Sequence, residues 1–348
     1  MSDAGPPRTW EPDLLGPGWE RTTLDLGEDD EGPLVATVVR AVPGAGSAVS
    51  TGGTTATRPA VLYVHGFNDY FFQTHVARAW AARGYTFYAL DLRRCGRSLL
   101  PGQTPHFTID LAEYVTELTA AARLVRSELG HDRLVVLGHS TGGLTASLWA
   151  HSLRHADVVD ALVLNSPWFD LNARWFHRVV ATRMLDAAPI DPRTVIADGL
   201  SAYSFHLHVD HGGRWDYDQV LKPPAGSPVR AGWMRAVRRG QARLSRGLEI
   251  TVPVLVCTAG ASGPNTLDNP DLDAQDTVLD VTHIAARAPR LGPDVTLLQV
   301  AGGVHDLSLS APTPRAVFTE TVFAWLGVRL DGAVSDPAAA AAGPARST

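Results

Sequence analysis

Short, nearly continuous apolar runs recur along the chain, and longer segments with helical periodicity separate them. An apolar run of this kind is typical of a strand that is buried on both faces. The runs predict strands at 34–42, 60–64, 86–90, 134–137, 161–164, 252–257 and 295–300. The segments between them predict helices at 71–83, 109–129, 140–155, 277–288 and 312–326. Strands that alternate with helices predict an α/β fold with a doubly wound, mostly parallel sheet.

One long region interrupts this alternation. Residues 168–247 are rich in Trp, Arg and His and carry no buried-strand signal. We interpret this region as a helical cap that is inserted over the strand ends of the core. The predicted divisions are an N-terminal extension at 1–29, a core at 30–167 and 248–330, the cap at 168–247 and a disordered tail at 331–348. A flexible loop is expected at 43–57, where Gly, Ala, Ser and Thr predominate.

The segment around Ser140 carries the strongest chemical signal. The apolar run at 134–137 leads directly into Gly138-His139-Ser140-Thr141-Gly142, and a helical pattern follows at once. A Gly-x-Ser-x-Gly turn between a strand and a helix is typical of a nucleophile elbow, which presents the serine in a strained conformation. The positive end of the following helix, with the backbone N–H of Thr141, would stabilise an oxyanion there. The alternative interpretation is a glycine-rich turn whose serine only caps the helix.

A second turn follows the predicted strand at 60–64 and reads His65-Gly66-Phe67-Asn68-Asp69. In a doubly wound sheet the carboxyl ends of the strands meet at one edge, where ligands bind. A His-Gly turn at that edge can direct a second backbone N–H towards the oxyanion. The alternative is a turn that only connects a strand to a helix.

Ser140 needs a general base, and position along the chain selects among thirteen histidines. His305 follows the last predicted strand in a glycine-containing loop. His283 lies inside a predicted helix, and His139 lies on the nucleophile turn itself. His305 is therefore the predicted base.

The acid is expected after the strand at 252–257, because the chain order in this arrangement is serine, acid, histidine. The strand end carries no carboxylate, and a polar insertion with several aspartates follows it. Asp276 directly precedes the next predicted helix and is the favoured acid, with Asp280 as the alternative. Such an acid would orient the imidazole and stabilise its charged form.

Composition narrows the range of partners. The 348-residue chain has a net charge of −6 and no basic block, so nucleic-acid binding is not expected. Two cysteines argue against a disulfide framework, and no apolar run approaches the length of a bilayer. The polar N-terminus lacks a secretory signal pattern. These features predict a cytoplasmic protein without a stable membrane anchor.

The segment His206-Leu207-His208-Val209-Asp210-His211 has the spacing of a binuclear zinc site. The zinc hydrolases that use this spacing need a strand directly before it, whereas here the segment lies in the middle of the predicted cap. We therefore interpret it as a polar part of the cap. Neither a metal nor another cofactor is expected.

These motifs resemble the α/β-hydrolase superfamily, and most closely its lysophospholipase- and monoacylglycerol-lipase-like branch, which is also described as serine aminopeptidase-like. The matching segments are His65-Gly66-Phe67, Asp91 through Ser98, Gly138 through Gly143, Asp276-Thr277-Val278 and Gly303-Val304-His305. The resemblance implies a triad of Ser140, Asp276 and His305, with the backbone N–H groups of Phe67 and Thr141 as oxyanion donors. The chain departs from the family between residues 257 and 276, because the family usually has its acid a few residues after the strand.

The motifs and the resemblance together predict a serine hydrolase that cleaves carboxylic, acyl-type esters of small molecules through an acyl-enzyme intermediate. Substrate contacts are predicted at His65, Asn68, His139 and Trp168.

Three other functions remain open: a peptidase or an acyltransferase on the same fold, and a non-catalytic binding protein. A peptidase would need an acidic group in the cap to bind the substrate amine, and Asp210 and Asp216 are the candidates.

Overall fold

The computed structural model describes residues 8–42, 58–171, 190–197 and 201–331. The predicted flexible loop at 43–57 lies outside the described residues, and so does the predicted disordered tail beyond residue 331. Residues 172–189 and 198–200 of the predicted cap also lie outside them.

The central element is a twisted sheet that joins the two predicted parts of the core. The described strands are β1 (Glu11–Pro12), β2 (Trp19–Asp29), β3 (Gly32–Ala41), β4 (Ala60–Val64), β5 (Thr86–Asp91), β6 (Leu134–His139), β7 (Ala161–Asn165), β8 (Val195–Ala197), β9 (Val229–Arg230), β10 (Val254–Ala259) and β11 (Val295–Val300). Within the described residues, nine of them form one sheet in the order β1-β2-β3-β5-β4-β6-β7-β10-β11. The pairings from β1 to β5 are antiparallel, and those from β5 to β11 are parallel. The predicted mostly parallel sheet is therefore confirmed.

Helices cover both faces of this sheet. The described α-helices are α1 (Thr74–Ala82), α2 (Val115–Arg123), α3 (Thr141–Ser152), α4 (Ala202–Leu207), α5 (Ala231–Ser245), α6 (Val281–Arg287) and α7 (Pro312–Leu326). Alternate residues of one strand serve the two layers. Val61 and Tyr63 of β4 pack in a cluster with residues of α1 and α7. Leu62 and Val64 pack on the opposite face with residues of α2, α3, α5 and α6.

The predicted helices at 71–83 and 277–288 begin later than the sequence pattern suggests. The predicted helix at 71–83 is observed as Thr74–Ala82, and the one at 277–288 as Val281–Arg287. In each case the first backbone N–H groups donate to a carboxylate instead of entering a helical turn. The Phe71 N–H donates to Asp91, and the Val278 and Leu279 N–H groups donate to Asp276.

Two strands of the sheet, β1 and β2, lie within the predicted N-terminal extension at 1–29. Residues Trp19–Asp29 form β2, which pairs with β3 in antiparallel register from Trp19 opposite Ala41. Exposed and buried side chains mix along β2, because antiparallel strands near a sheet edge need only one covered face. The apolar runs that reveal the central strands are therefore absent there.

The described part of the predicted cap is not entirely helical. It contains α4 and α5, together with the short antiparallel pair β8 and β9. These strands are three and two residues long, so they leave no periodic signal in the sequence. The longer helix α5 packs against α3, and Gly240 lies beside Leu144 and Leu148 of that helix. Among the described helices, none combines the length and the apolarity required to cross a bilayer.

Candidate active site

Ser140 lies in the tight turn between β6 and α3. Its backbone has φ 53° and ψ −120°, a region that a residue with a side chain rarely occupies. Such a conformation costs on the order of 1–3 kcal/mol, and the surrounding structure must offset it. The Ser140 N–H donates to the Asn165 carbonyl at 3.0 Å, and the Trp168 N–H donates to the Ser140 carbonyl at 3.0 Å. These contacts hold the serine at the strand ends in the conformation of a nucleophile elbow.

Glycine is required at position 142 because the turn lies directly against β4. A Cβ atom on Gly142 would lie 2.2 Å from the His65 carbonyl oxygen and 2.5 Å from that of Val64. Any side chain there would push the elbow away from the neighbouring strand end.

The structure brings Ser140, His305 and Asp276 into one hydrogen-bonded chain. The Ser140 Oγ lies 3.0 Å from His305 Nε2, and His305 Nδ1 lies 2.9 Å from Asp276 Oδ2. With Nδ1–H donating to the carboxylate, Nε2 is free to accept the hydroxyl proton. Asp276 is completely buried and His305 is 4% exposed, while Ser140 reaches the cavity described below.

Asp276 reaches this position although 16 residues of the chain separate it from Ala259, the last residue of β10. The insertion leaves the sheet after Ser262 and returns at Asp276, which forms a β-bridge with Ser262. The Asp276 N–H donates to the Ala261 carbonyl at 2.9 Å, and the Gly263 N–H donates to the Asp276 carbonyl at 3.0 Å. The carboxylate therefore lies at the end of β10, where an acid without an insertion would also lie.

Asp280 has a different role. Its Oδ1 accepts hydrogen bonds from the Thr282 N–H and hydroxyl at the start of α6. The Thr282 hydroxyl is the main cause that lowers the pKa of Asp280, with a further contribution from the Thr282 N–H. Asp280 is a helix cap, and it is Asp276 that contacts His305.

Two backbone N–H groups next to Ser140 have no hydrogen-bond acceptor within the described part of the chain. They belong to Phe67, after the His-Gly turn, and to Thr141, the first residue of α3. The two turns are in close contact, since a Cβ on Gly66 would lie 2.9 Å from Ser140 Cβ. Unpaired N–H groups at a helix N-terminus and an adjacent turn are suited to bind an oxyanion.

A buried network that the sequence analysis missed supports the histidine loop. Asp306 Oδ1 accepts from Asn165 Nδ2 at 2.7 Å and from the Ser308 N–H and hydroxyl at 2.9 and 2.7 Å. Burial would raise the pKa of Asp306, but nearby His139 and these hydrogen bonds hold it below its usual value. Asn165 Oδ1 also accepts from the Leu307 N–H. Asn165 thus joins the end of β7 to the loop of His305; its position at a strand end was the available sequence signal.

His139 lies beside His305. Its ring centroid is 4.9 Å from that of His305, and its Nδ1 lies 3.1 Å from the Asn165 carbonyl oxygen. Burial lowers the pKa of His139, although Asp306 acts in the opposite direction. A neutral His139 can pack against His305 without opposing a positive charge on the His305 ring.

A cavity of about 210 Å³ opens over Ser140. Three of the four predicted substrate contacts line it, namely Asn68, His139 and Trp168. His65 does not line it. Its Nε2 accepts from the Leu92 N–H at 3.1 Å and its Nδ1 lies 2.7 Å from the Gly66 carbonyl oxygen, so the ring holds the turn instead.

The cavity has an apolar part and a polar part. Phe67, Trp168, Val229, Trp233, Val278 and Leu279 contribute apolar surface. Asp69, Lys222, Ser201, Ser204 and Asn265 contribute polar groups.

The histidines at 206–211 do not converge on a metal site. No group of three or more potential ligands comes together anywhere in the described ranges of the chain. His206 contacts Asp273 at 3.1 Å, whereas His208 contacts Asp210 at 3.3 Å and the Tyr217 carbonyl oxygen at 3.2 Å. These side chains connect parts of the cap and the insertion.

Comparison with known proteins assigns the chain to a family. The model of the family described as "Serine aminopeptidase, S33" matches residues 55–263, which is more than half of the chain. The matched range includes the elbow and the His-Gly turn.

Individual relatives are more distant. The chain is 28% identical over 218 residues to a monoacylglycerol lipase of Mycolicibacterium smegmatis, covering 58% of this chain and 69% of that protein. It is 29% identical over 106 residues to epoxide hydrolase 1 of Caenorhabditis elegans, covering 30% of this chain but only 24% of that protein. A solved monoglyceride lipase of Saccharomyces cerevisiae superposes with a TM-score of 0.60 at 16% identity, covering 94% of this chain and 95% of that one. At that identity the structural likeness concerns the fold.

Proposed function

The chain belongs to the serine aminopeptidase S33 family of α/β-hydrolases, and from this premise we propose that it hydrolyses carboxylic esters of small molecules through an acyl-enzyme. The observation that carries the proposal is the hydrogen-bonded chain from Ser140 through His305 to Asp276, which opens on a partly apolar cavity. The likeness to monoacylglycerol lipases supports an acyl ester as the substrate.

In the first half of the reaction, Ser140 Oγ attacks the ester carbonyl carbon while His305 Nε2 accepts its proton. The carbonyl oxygen becomes an oxyanion, which the N–H groups of Phe67 and Thr141 stabilise. His305 then donates the proton to the leaving alcohol oxygen as the C–O bond breaks, and the acyl group remains on Ser140. Asp276 keeps the imidazole in the required tautomer and stabilises its charged form.

In the second half, a water molecule attacks the acyl carbon and His305 accepts its proton. The second tetrahedral intermediate collapses as His305 returns this proton to Ser140 Oγ. The carboxylic acid leaves and the enzyme is restored.

The charges around the cavity favour an ester over a peptide substrate. The cavity-lining carboxylate of Asp69 is paired with Lys222, whose Nζ lies 2.6 Å from Asp69 Oδ1. Asp210 and Asp216, the predicted partners of a peptide amine, instead contact His208 and do not line the cavity. Among the described residues that line the cavity, Asp69 is the only carboxylate, and Lys222 neutralises it, so none is left to bind an N-terminal ammonium group.

Two further parts of the proposal concern the whole chain. Residues 168–247 act as a cap, and Trp168, Tyr203 and Trp233 supply part of the cavity wall. Both cysteines, Cys95 and Cys257, are buried free thiols, in keeping with the predicted cytoplasmic location.

The test combines a fluorophosphonate probe with turnover of acyl esters of graded chain length. We expect the wild-type protein to react with the probe, and Ser140→Ala to lose both labelling and turnover. Ser152→Ala, at the C-terminal end of helix α3 that begins after Ser140, is the matched control and should retain both labelling and turnover. Ester hydrolysis that persists in Ser140→Ala would refute the assignment.

A further inference from the structure

The turn that supplies the Phe67 N–H is held by the cap at three successive residues. The Phe67 ring packs against the Trp233 ring of α5, with centroids 4.1 Å apart. The next two residues, Asn68 and Asp69, bind the cap segment 222–227 through their side chains. These contacts between the cap and the turn therefore lie at, and directly after, the residue that is the predicted oxyanion donor.

Asn68 is fixed by the cap at both ends of its amide. Its Nδ2 donates to the Pro223 carbonyl at 3.1 Å, and its Oδ1 accepts from the Ser227 hydroxyl at 2.8 Å. Its φ is 54°, a left-handed conformation in which a non-glycine residue needs support. The peptide that follows Phe67 therefore depends on side-chain contacts with the cap.

Asp69 is fixed by the only lysine of the chain. Lys222 Nζ lies 2.6 Å from Asp69 Oδ1, and the two side chains are 8% and 3% exposed. The ammonium group also lies 5.3 Å from the centroid of the Phe72 ring and 5.7 Å from that of Tyr217. A buried ion pair resists separation, because removal of either partner leaves an uncompensated charge.

We propose that the cap segment 222–227 positions the oxyanion hole: Lys222 and Ser227 hold Asp69 and Asn68 so that the Phe67 N–H faces the reacting carbonyl. This inference rests on the proposed ester hydrolysis. It makes the cap a part of the catalytic scaffold as well as a wall of the cavity. Lys222 and Ser227 are positioning residues, since they act through the turn.

Such a role has a distinctive kinetic signature. An oxyanion donor interacts more strongly with the charged transition state than with the neutral ester, so its misplacement lowers kcat more than it raises KM. Residues that only bound the substrate would raise KM instead. Loss of one oxyanion donor costs on the order of a hundredfold or more in kcat, which limits the effect of displacing it.

The main variants are Lys222→Met and the double variant Lys222→Met/Asp69→Asn, assayed on the best acyl ester. We expect Lys222→Met to lower kcat about ten- to a hundredfold with KM within about threefold. The double variant should recover much of that loss, because the amide leaves no stranded charge beside Phe67. Ser227→Ala should lower kcat less, because the Pro223 contact to Asn68 remains.

Arg214→Met is the matched control. Arg214 also belongs to the predicted cap, but it pairs with Asp273 at 3.1 Å and does not line the cavity over Ser140. It should keep the wild-type kcat.

A measurement on the wild-type protein covers the case in which Lys222→Met does not fold. Since the chain has one lysine, acetylation followed by peptide mapping reports the modified fraction at Lys222 apart from the N-terminal amine. We expect kcat to fall in proportion to that fraction and to be unaffected by acetylation of the N-terminus.

The outcomes separate the two proposals. Turnover that survives Ser140→Ala refutes the proposed function. Turnover that requires Ser140, together with wild-type kcat in Lys222→Met or in fully Lys222-acetylated protein, overturns the positioning role. A rise in KM at constant kcat also overturns it and assigns Lys222 to substrate binding.

Discussion

The elbow that carries Ser140 and the loop that carries Asp276 serve the same hydrogen-bonded chain, yet the molecule builds them differently. The elbow is a five-residue turn whose strained conformation depends on glycines and on the adjoining ends of β4 and β7. The acid follows a long insertion that leaves the sheet and returns through the bridge between Ser262 and Asp276.

This difference separates the features that tolerate change from those that do not. Gly138 and Gly142 of the elbow lie against neighbouring backbone, so a methyl group added at either position would meet backbone atoms. Most of the insertion is exposed, and the backbone bonds between it and Asp276 come from its first residues, Ala261 and Gly263. We therefore expect that its exposed part can change without moving the acid. The following changes test this contrast, from the largest expected effect to the smallest.

The largest effect is expected at the acid itself. Asp276→Asn should lower kcat by about 10⁴-fold, because an amide cannot accept from His305 Nδ1–H in the same way or stabilise the imidazolium. Asp280→Asn should leave kcat within about twofold, since this side chain caps α6 and neither contacts His305 nor lines the cavity. Steady-state kinetics of the two variants decides between them; an equal or larger loss at Asp280 would contradict the assignment.

A substitution in the elbow should lower the free energy of unfolding. Gly142→Ala places a Cβ 2.2 Å from the His65 carbonyl oxygen, so we expect a loss of about 3 kcal/mol in the free energy of unfolding. Gly327→Ala is the matched control, because nothing lies within 4 Å of its added Cβ. It should be neutral or stabilising by up to about 1 kcal/mol. Urea unfolding measures the free energy of unfolding of both variants. A Gly142→Ala protein of wild-type stability would show that the elbow can accommodate a side chain at this position.

The stability of the turn at 65–69, which lies against the elbow, should also depend on pH. Burial lowers the pKa of His106, whose ring packs on Phe67, to about 3 from an ordinary value of 6.5. Between these pH values the unfolded chain binds a proton that the folded chain does not. The free energy of unfolding therefore falls as pH drops through this window, by at most about 1.4 kcal/mol per pH unit from this residue.

Urea unfolding of His106→Asn between pH 4.5 and 6.5 tests this slope. The variant should show a flatter dependence on pH than the wild type, whatever its absolute stability. His155→Asn, at an exposed position, is the control and should keep the wild-type slope. A slope that does not change in His106→Asn would assign the acid sensitivity to other groups.

The smallest effect is expected at the tip of the insertion. Asp273→Asn removes contacts at 3.1 Å to both His206 and Arg214, all of which are partly exposed. Exposed ion pairs contribute about 0–1 kcal/mol, so the melting temperature should fall by a few degrees at most. We expect kcat within about twofold of wild type. A large loss of kcat would show that the acid depends on the whole insertion.

Prediction from the sequence succeeded where the signal was local and failed where it was not. The apolar runs identified β4 and β11 with the observed bounds. Burial on both faces explains the continuous apolar run of β4, whereas β11 is an edge strand that is only partly buried. The same criterion missed β2, whose outer face is exposed. Within the candidate site, the predictions of Ser140 and His305 rest on the local turns that carry them, and the structure places their side chains 3.0 Å apart. Asn165 and Lys222 carry no such local signature.

The sequence by itself determined the strand–turn–helix segments and the residue types at their ends, because these follow from near-neighbour sterics and burial. The tertiary structure alone decided which aspartate meets His305, since chain distance does not reveal that Asp276 returns to Ser262. It also decided that Lys222 meets Asp69, a contact between residues 153 positions apart. Such pairings depend on how the helices, strands and loops pack against one another around the site. Residues that are far apart along the chain meet there, and no local periodicity predicts which of them do.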